Sequence, residues 1–299
     1  MKKKVYLLTT CKPENSSVST RILGESAKKL NIELKTIYTE HCHLKIEDGK
    51  LTLFENDKIL KGIKKILFRK TVSSTSSVFH KSILHQFELN GTKVINRIQG
   101  ISQTRDQFHT LQILAKYSIP TPKSFLLGSI KQIDSIIKEI GKPPYIVKIL
   151  DSKKGRGVFI LESKRSLISF ASIIVGSREF PPLLIQEFIA EAKGKDIRVF
   201  IIGNKVVASM ERKAMKKGEF RSNYKLGGSV KKIKITKEEE KLALKAAKVC
   251  GLQIVGVDII RSKKGPLIIE LNSNPGLEGI TKATEKDIAG EILKYAINR

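Results

Sequence analysis

Apolar positions along the chain fall into two rhythms: short runs of strand length, and stretches spaced three and four apart as on one face of a helix. Val5–Thr10 and Ile32–Tyr38 predict strands on either side of a helix over Thr20–Leu30. Asp48-Gly49, between the runs Leu44–Ile46 and Leu51–Phe54, predicts a hairpin. Ile66–Phe68, a helix over Ser77–Leu89 and Lys93–Asn96 complete a first section, about residues 1–96. Strands alternating with helices in this way predict a small open α/β domain.

A second section, about 97–184, opens with helical spacing over Thr104–Tyr117, ended by Ile119-Pro120-Thr121-Pro122. A strand at Ser124–Leu127, a helix over Ile130–Ile140, and strands at Tyr145–Leu150 and Val158–Leu161 follow. In a third section, about 185–299, Leu183–Phe188 reads as a strand. Ile197–Ile202 and Lys205–Met210 read as a hairpin around Gly203-Asn204. Residues 213–231 are polar, basic and glycine-rich and predict a mobile loop. Thr236 and Glu239 form a capping box for a helix to Cys250, and a last helix is expected over Lys286–Asn298.

Two further strands, Ile254–Arg261 and Pro266–Asn272, carry the most chemistry. Across the turn at Lys263-Lys264-Gly265, position 258 comes opposite about position 270. Val255, Val257 and Ile259 point one way and Asp258 the other. Leu267, Ile269 and Leu271 share one face, and Glu270 and Asn272 the opposite one. Asp258, Glu270 and Asn272 are thus expected together on a polar face. Two carboxylates and an amide oxygen are hard ligands that suit Mg²⁺, which keeps other positions for water and phosphate. Amide replacements of either carboxylate are expected to leave the fold intact.

Lys148 sits inside the apolar strand Tyr145–Leu150, where an ammonium needs an anion. The loop after it, Ser152-Lys-Lys-Gly155-Arg-Gly157, has a phosphate-cradling composition without the spacing of a Walker or Rossmann loop. Leu183–Phe188 ends in Gln186-Glu187, which fits an adenine and ribose edge with Phe188 packing nearby.

Composition narrows the classes. The formal charge of +27 points to acidic partners. Aromatics are 6% with no Trp, so a stacking platform for single-stranded nucleic acid is poorly supplied. Three cysteines without CxxC spacing argue against a disulfide framework or a zinc ribbon and for a reducing compartment. No apolar run reaches the length of a membrane span.

In this order, a strand lysine, a glycine loop, a strand ending in Gln-Glu and an Asp…Glu-x-Asn hairpin resemble the ATP-grasp ligases. Within that superfamily the chain is similar to the RimK-type glutamate ligases. The matching stretches are Asp196-Ile-Arg198, Phe220-Arg-Ser-Asn223 with Gly227-Gly228, Gly256–Ile259, and Asn274-Pro-Gly-Leu-Glu-Gly279. His85–Glu88 and Thr104–Asp106 also look like the family. Ser273-Asn274 departs from the expected Ala-Ser. The resemblance implies an α/β chain with the α+β ATP-grasp fold: the small N-terminal domain, then a central lobe (97–184) and a C-terminal lobe with the metal site (185–299). It implies ATP contacts from Lys148, Glu187, Phe188, Asp196, Arg221, Ser222 and Asn223. Two Mg²⁺ (or Mn²⁺) would lie on Asp258, Glu270 and Asn272, Arg198 and Arg212 would sit near phosphates or a carboxylate, and the catalytic roles would fall to Arg212 and Arg221.

The implied reaction attacks the γ-phosphorus of ATP with a carboxylate, then displaces phosphate from the acyl phosphate with an amine. Positioning and charge neutralisation carry such chemistry. The implied partners are L-glutamate and an acidic protein tail, that of a small-subunit ribosomal protein, in the cytoplasm and away from membranes; a homo-oligomer is left open. The alternative within the class is the same ligation on a coenzyme or an amino-acid carrier protein. The rival class, a basic nucleic-acid-binding module, would cluster its basic residues with aromatics and have no use for Asp258 and Glu270.

Overall fold

The computed structural model describes residues 2–10, 16–69, 77–150, 157–175, 182–192, 194–215 and 228–298. The expected ATP contacts Gly155, Arg221, Ser222 and Asn223 lie outside the described residues.

The chain opens with β1 (Lys3–Thr9), α1 (Val18–Lys29) and β2 (Ile32–Tyr38). A small antiparallel sheet follows: β3 (Cys42–Glu47), β4 (Lys50–Glu55) and β5 (Lys58–Ile59). Its first turn has φ of 48° at Asp48 and 70° at Gly49, the left-handed pair that the Asp-Gly signal predicts. Then come β6 (Lys65–Arg69), α2 (Ser77–Leu89) and β7 (Lys93–Ile95). The parallel sheet runs in the order β2-β1-β6-β7. Its direction of winding reverses between β1 and β6, so the carboxyl ends of those strands flank a crevice. One face of the sheet (Leu8, Ile37, Ile66, Phe68) packs on α2. The other (Val5, Leu7, Leu67, Ile95) joins a core with α1 and the chain's last third.

Next come α3 (Ile98–Gln103) and α4 (Gln107–Lys116). The single helix expected from Thr104 instead starts after Asp106, whose extended backbone and carboxylate cap α4 through the His109 N–H at 3.0 Å. An antiparallel sheet of order β10-β9-β11-β8 follows. It is built from β8 (Ser124–Leu127), β9 (Tyr145–Ile149), β10 (Val158–Leu161) and β11 (Leu183–Glu187). α5 (Ile133–Ile140) and α6 (Lys164–Val175) cover one of its faces. The boundary expected at 184/185 falls inside β11, which hydrogen-bonds both β8 and β9 in this sheet. α4, placed by the sequence in the central section, packs through Leu114 on the last sheet instead.

That sheet has the order β14-β13-β12-β15-β16. Its strands are β12 (Lys195–Ile202), β13 (Lys205–Lys213), β14 (Ser229–Lys232), β15 (Ile254–Ser262) and β16 (Gly265–Asn272). The stretch expected as a loop over 213–231 is therefore strand at both ends; residues 216–227 lie outside the described residues. α7 (Lys237–Val249), opened by the Thr236–Glu239 capping box, covers the back face through Ala243, Ala246 and Ala247. α8 (Glu278–Thr284) and α9 (Ile288–Asn298) cover half of the front face, over Phe200, Ile202, Ala208, Met210 and Ile254. The other half of the front face is polar, and its Asp258 and Glu270 lie within electrostatic reach of Lys148 across the cleft between this sheet and the small one.

Asn96 pins the N-terminal sheet to this last sheet. Its Oδ1 accepts the N–H groups of Gln253 (2.8 Å) and Ile254 (2.7 Å), and its Nδ2 donates to the carbonyls of Ile254 (2.7 Å) and Ser273 (2.8 Å). Asn96→Ala strips partners from main-chain groups at a buried joint. It should lower unfolding stability by about 3 kcal/mol, read as a drop in the urea midpoint at unchanged slope.

Candidate active site

Three strands place the central charges. Arg198 on β12 lies directly opposite Asp258 on β15, and Asp196 on β12 directly opposite Arg212 on β13. Arg198 donates from Nε to Asp258 Oδ1 and from Nη2 to Oδ2, both at 2.6 Å. Arg212 donates from Nε and Nη2 to Asp196 at 2.6 and 2.8 Å, and from Nη2 to Asp258 Oδ2 at 2.8 Å. All four residues are buried. Gly256 makes room for this array. A Cβ there would sit 3.0 Å from the Pro275 ring and 3.1 Å from Arg198 Cδ.

Asp258 faces Glu270, and Gly256 faces Asn272, as the hairpin pattern predicts. Strict alternation from the turn would not achieve this. The two-residue turn pairs Ser262 with Gly265, a register that would set Asp258 against Ile269 and turn Glu270 to the back face. A β-bulge shifts the register by one residue, so that Ile259 pairs with Ile268 and Asp258 with Glu270. Leu267 and Ile269 therefore do not share the core face with Leu271; Ile268 takes that place. Gln107 of α4 holds the bulge, donating from Nε2 to the Ile269 carbonyl at 3.3 Å, and Ile268 N–H donates to the Pro120 carbonyl at 2.9 Å.

The charges respond to this packing. Burial pushes the Asp258 carboxyl up, but Arg198 and Arg212 more than reverse this and hold it below its ordinary range. Burial works against the Arg212 cation, yet Asp258 and Asp196 keep it above its usual value. Glu270 is raised, first by the crowding of protein atoms and then by Asp258. Crowding is not enclosure here, because Glu270 remains solvent-exposed and its carboxylate stays reachable from the cleft. Lys148, half-buried on β9, is pulled down to about 8 by burial, with Glu270 and Asp258 opposing the fall. Among the described residues three carboxylates (Asp196, Asp258, Glu270) stand against three cations (Arg198, Arg212, Lys148), so this set is neutral.

The donor set fits a hard divalent cation. Glu270 is exposed, Asp258 Oδ1 accepts a single bond, and Asn272 Oδ1 accepts one, from the Asn274 N–H at 2.9 Å. A neutral cluster offers little net attraction to bare ions, which favours their arrival with a polyphosphate. Other expected residues stand differently. Asp196 and Arg212, expected on ATP and near the reacting groups, are engaged with each other in a buried fork, and Arg212 positions Asp258. Glu187 Oε1 accepts the Lys123 N–H at 2.8 Å, tying the ends of β8 and β11 together, with Phe188 half-buried beside it. The Gly157 carbonyl accepts the Ile149 N–H at 2.8 Å, so Gly157 is the base of the β9–β10 connection.

The chain matches known proteins along its whole length. A profile of the RimK PreATP-grasp domain matches residues 4–101, and one of the RimK-like ATP-grasp domain residues 104–296. A probable alpha-L-glutamate ligase of Coxiella burnetii (strain RSA 493 / Nine Mile phase I) is 39% identical over 292 residues, covering 98% of this chain and 94% of the relative. One from Thioalkalivibrio sulfidiphilus (strain HL-EbGR7) is 38% identical over 277 residues, covering 93% and 90%. Among solved structures, the ATP-grasp ligase PsnB complexed with minimal precursor superposes with a TM-score of 0.78 at 17% identity, over 99% of each chain. D-alanine–D-alanine ligase from Bacillus anthracis complexed with ATP gives 0.66 at 16% identity, over 99% of this chain and 96% of the other. Among the described residues, no helix is long and apolar enough to cross a membrane.

The two carboxylates should part company on substitution. Asp258→Asn leaves two buried guanidinium groups short of a counter-ion and should cost about 3 kcal/mol or more of stability, contrary to the expectation that this face tolerates amides. Glu270→Gln, at an exposed position, should hold stability within about 0.5 kcal/mol while Mg²⁺-dependent ADP release is lost. Denaturant melts beside a coupled ADP assay read both, and normal ADP release by Glu270→Gln would remove it from the metal set.

Lys148 supplies a pH signature. Its folded value of about 8 lies below its ordinary one, so in the free protein the ammonium is charged below pH 8 and lost above it. Metal-free ATP affinity should therefore weaken as pH rises through about 8, with growing proton uptake on binding. The same depression makes the folded state gain stability as pH rises from about 8 toward the unfolded lysine value. Calorimetry in buffers of differing ionisation enthalpy should show both the weakening and the uptake, and Lys148→Ala should abolish the uptake.

Proposed function

As this chain belongs to the RimK-like ATP-grasp family and is an ATP-dependent ligase, we propose that it joins L-glutamate to the C-terminal carboxylate of an acidic protein tail. The observation that carries the proposal is the meeting of Asp258, Glu270 and Asn272 on one cleft-lining face, with Lys148 across from them. Glutamate is the amino acid named for the relatives from C. burnetii and T. sulfidiphilus. The acceptor class follows from the charge of +27, which attracts an acidic chain and keeps attracting it as each glutamate adds charge. The tail of a small-subunit ribosomal protein is the acceptor that the family resemblance indicates.

In the proposed course, the tail carboxylate attacks the γ-phosphorus of ATP, ADP leaves, and the glutamate amine displaces phosphate from the acyl phosphate. Two Mg²⁺ or Mn²⁺ ions on Asp258, Glu270 and Asn272 would draw charge from the β and γ oxygens. Lys148 neutralises phosphate from the small-sheet side of the cleft. Arg198 and Arg212 keep Asp258 ionised and fixed in direction. Arg221, on the segment between β13 and β14, is proposed to face the acyl phosphate, with Ser222 and Asn223 beside the nucleotide.

With ATP, Mg²⁺ and L-glutamate, peptides ending in acidic residues should gain a ladder of glutamyl additions by mass spectrometry. Added salt should shorten that ladder as the screening length falls below about 8 Å. A single addition at every salt concentration would detach processivity from charge. Unmodified peptides together with a glutamylated coenzyme would move the acceptor to the small-molecule alternative.

A further inference from the structure

Arg69 ends β6 and is 4% exposed, yet among the described residues no carboxylate faces it. Among the described residues its one hydrogen bond runs from Nη2 to the Pro275 carbonyl at 2.6 Å, while Nε and Nη1 are buried without a partner. Burial alone pushes this guanidinium down to about 10. A stripped, unpaired cation is among the costliest features a fold can carry, and it marks a place where an anion belongs. Thr9, directly opposite Arg69 at the end of β1, buries a hydroxyl that is likewise unpartnered.

The position is as telling as the chemistry. Thr9 and Arg69 end the two strands where the parallel sheet reverses its winding, the crevice in which open α/β sheets take ligands. The start of α1 reaches the same place. Ser19 Oγ accepts the Leu277 N–H at 3.1 Å, two residues from the carbonyl that Arg69 holds. The strap of residues 273–277 continues directly from Asn272, and its Pro275 ring and Arg198 Cδ both crowd the space beside Gly256. Arg69 thus stands one layer of side chains from the Arg198–Asp258 pair.

We propose that Arg69 and Thr9 form a carboxylate subsite that holds a non-reacting carboxylate of the substrates beside the ligation centre, that of free L-glutamate in the first instance. The assignment rests on the ligase reading above. A carboxylate supplies the counter-charge that the guanidinium lacks and acceptors for both its open nitrogens and the threonine hydroxyl. The amine-bearing substrate has to be held by its acid groups if its nitrogen is to be aimed at the acyl carbon. Because the two nitrogens are enclosed, the carboxylate enters as the 273–277 strap eases away, so occupancy and the strap move together.

The test compares wild type with Arg69→Gln, Arg69→Lys and Thr9→Val, each first checked for an unchanged melting profile and ATP affinity. Calorimetry with L-glutamate, and KM values for glutamate and for an acidic peptide, are the readouts. Arg69→Gln should weaken glutamate binding about tenfold or more. Arg69→Lys should restore part of the loss, and the peptide KM should stay put. A shift confined to the peptide KM would keep the carboxylate subsite and give it to the tail. Unchanged glutamate affinity and unchanged KM values in folded variants of an active wild type would overturn the subsite and leave Arg69 as a strut for the strap. If the wild type ligates nothing, the ligase reading has failed by itself. Titration with glutarate, a dicarboxylate that cannot react through nitrogen, then still decides the subsite: loss of binding in Arg69→Gln supports it and equal binding overturns it.

Discussion

A carboxylate that is to hold a cation must stay ionised, and one that is 1% exposed stays ionised only if it is paired. Asp258 meets both conditions through Arg198 and Arg212, and the geometry of the large sheet follows from that pairing. Desolvating such ions costs several kcal/mol each, a cost offset only by short, well-aimed contacts. The 2.6 Å fork between directly opposed residues on neighbouring strands is such a contact. A slip of one residue between β12 and β15 would turn Arg198 into the apolar back face. The same demand explains Gly256, whose missing side chain is the channel through which Arg198 reaches its partner.

With those pairs closed on themselves, two charges of the cleft remain uncommitted among the described residues: Glu270 on the large sheet and Lys148 on the small one. They come from different layers and have opposite sign. One suits a metal ion and the other a phosphate, and among the described residues neither is locked by a salt bridge within 4 Å. The rigid part of the site is therefore the buried quartet, while the responsive part spans the gap between two sheets. If Lys148 meets the phosphates as proposed, an ammonium poised near pH 8 takes up its proton as they arrive, which would couple nucleotide binding to charge.

Much of this was legible in the chain. Polar residues inside apolar strands betray themselves by alternation, and that exposed Lys148, Asp258, Glu270 and Asn272. Helices whose apolar positions recur regularly were equally plain, although α6 carries the same spacing at Leu167, Phe170, Ala171 and Ile174 and went unread. What stayed hidden depends on neighbours that sequence order does not reveal. β12 lies between β13 and β15, so the partners of Asp258 are 60 and 46 residues away. The bulge that orients Glu270 is held by Gln107 from a distant helix. Arg69 and Asn96 look like ordinary polar ends of short strands until the last third of the chain is folded against them.

Asn96 also bears on how such chains can be recombined. Its four bonds all go to main-chain atoms, so the joint it makes is indifferent to the side chains on the far side. A chimera that exchanges the first 96 residues for those of another protein of this architecture would find the same donors and acceptors waiting, provided an asparagine arrives in that place. The remaining requirements are the apolar fit of α1 against α9, which is forgiving, and side-chain ties that are less so: Ser26 Oγ donates to Asp287 Oδ1 at 2.6 Å, Ser19 Oγ accepts the Leu277 N–H, and Arg69 donates to the Pro275 carbonyl. Grafting a new N-terminal sheet onto this catalytic half thus turns on one amide, one helix groove and a few polar ties, a short list for a module that ends two of its strands at the proposed substrate pocket.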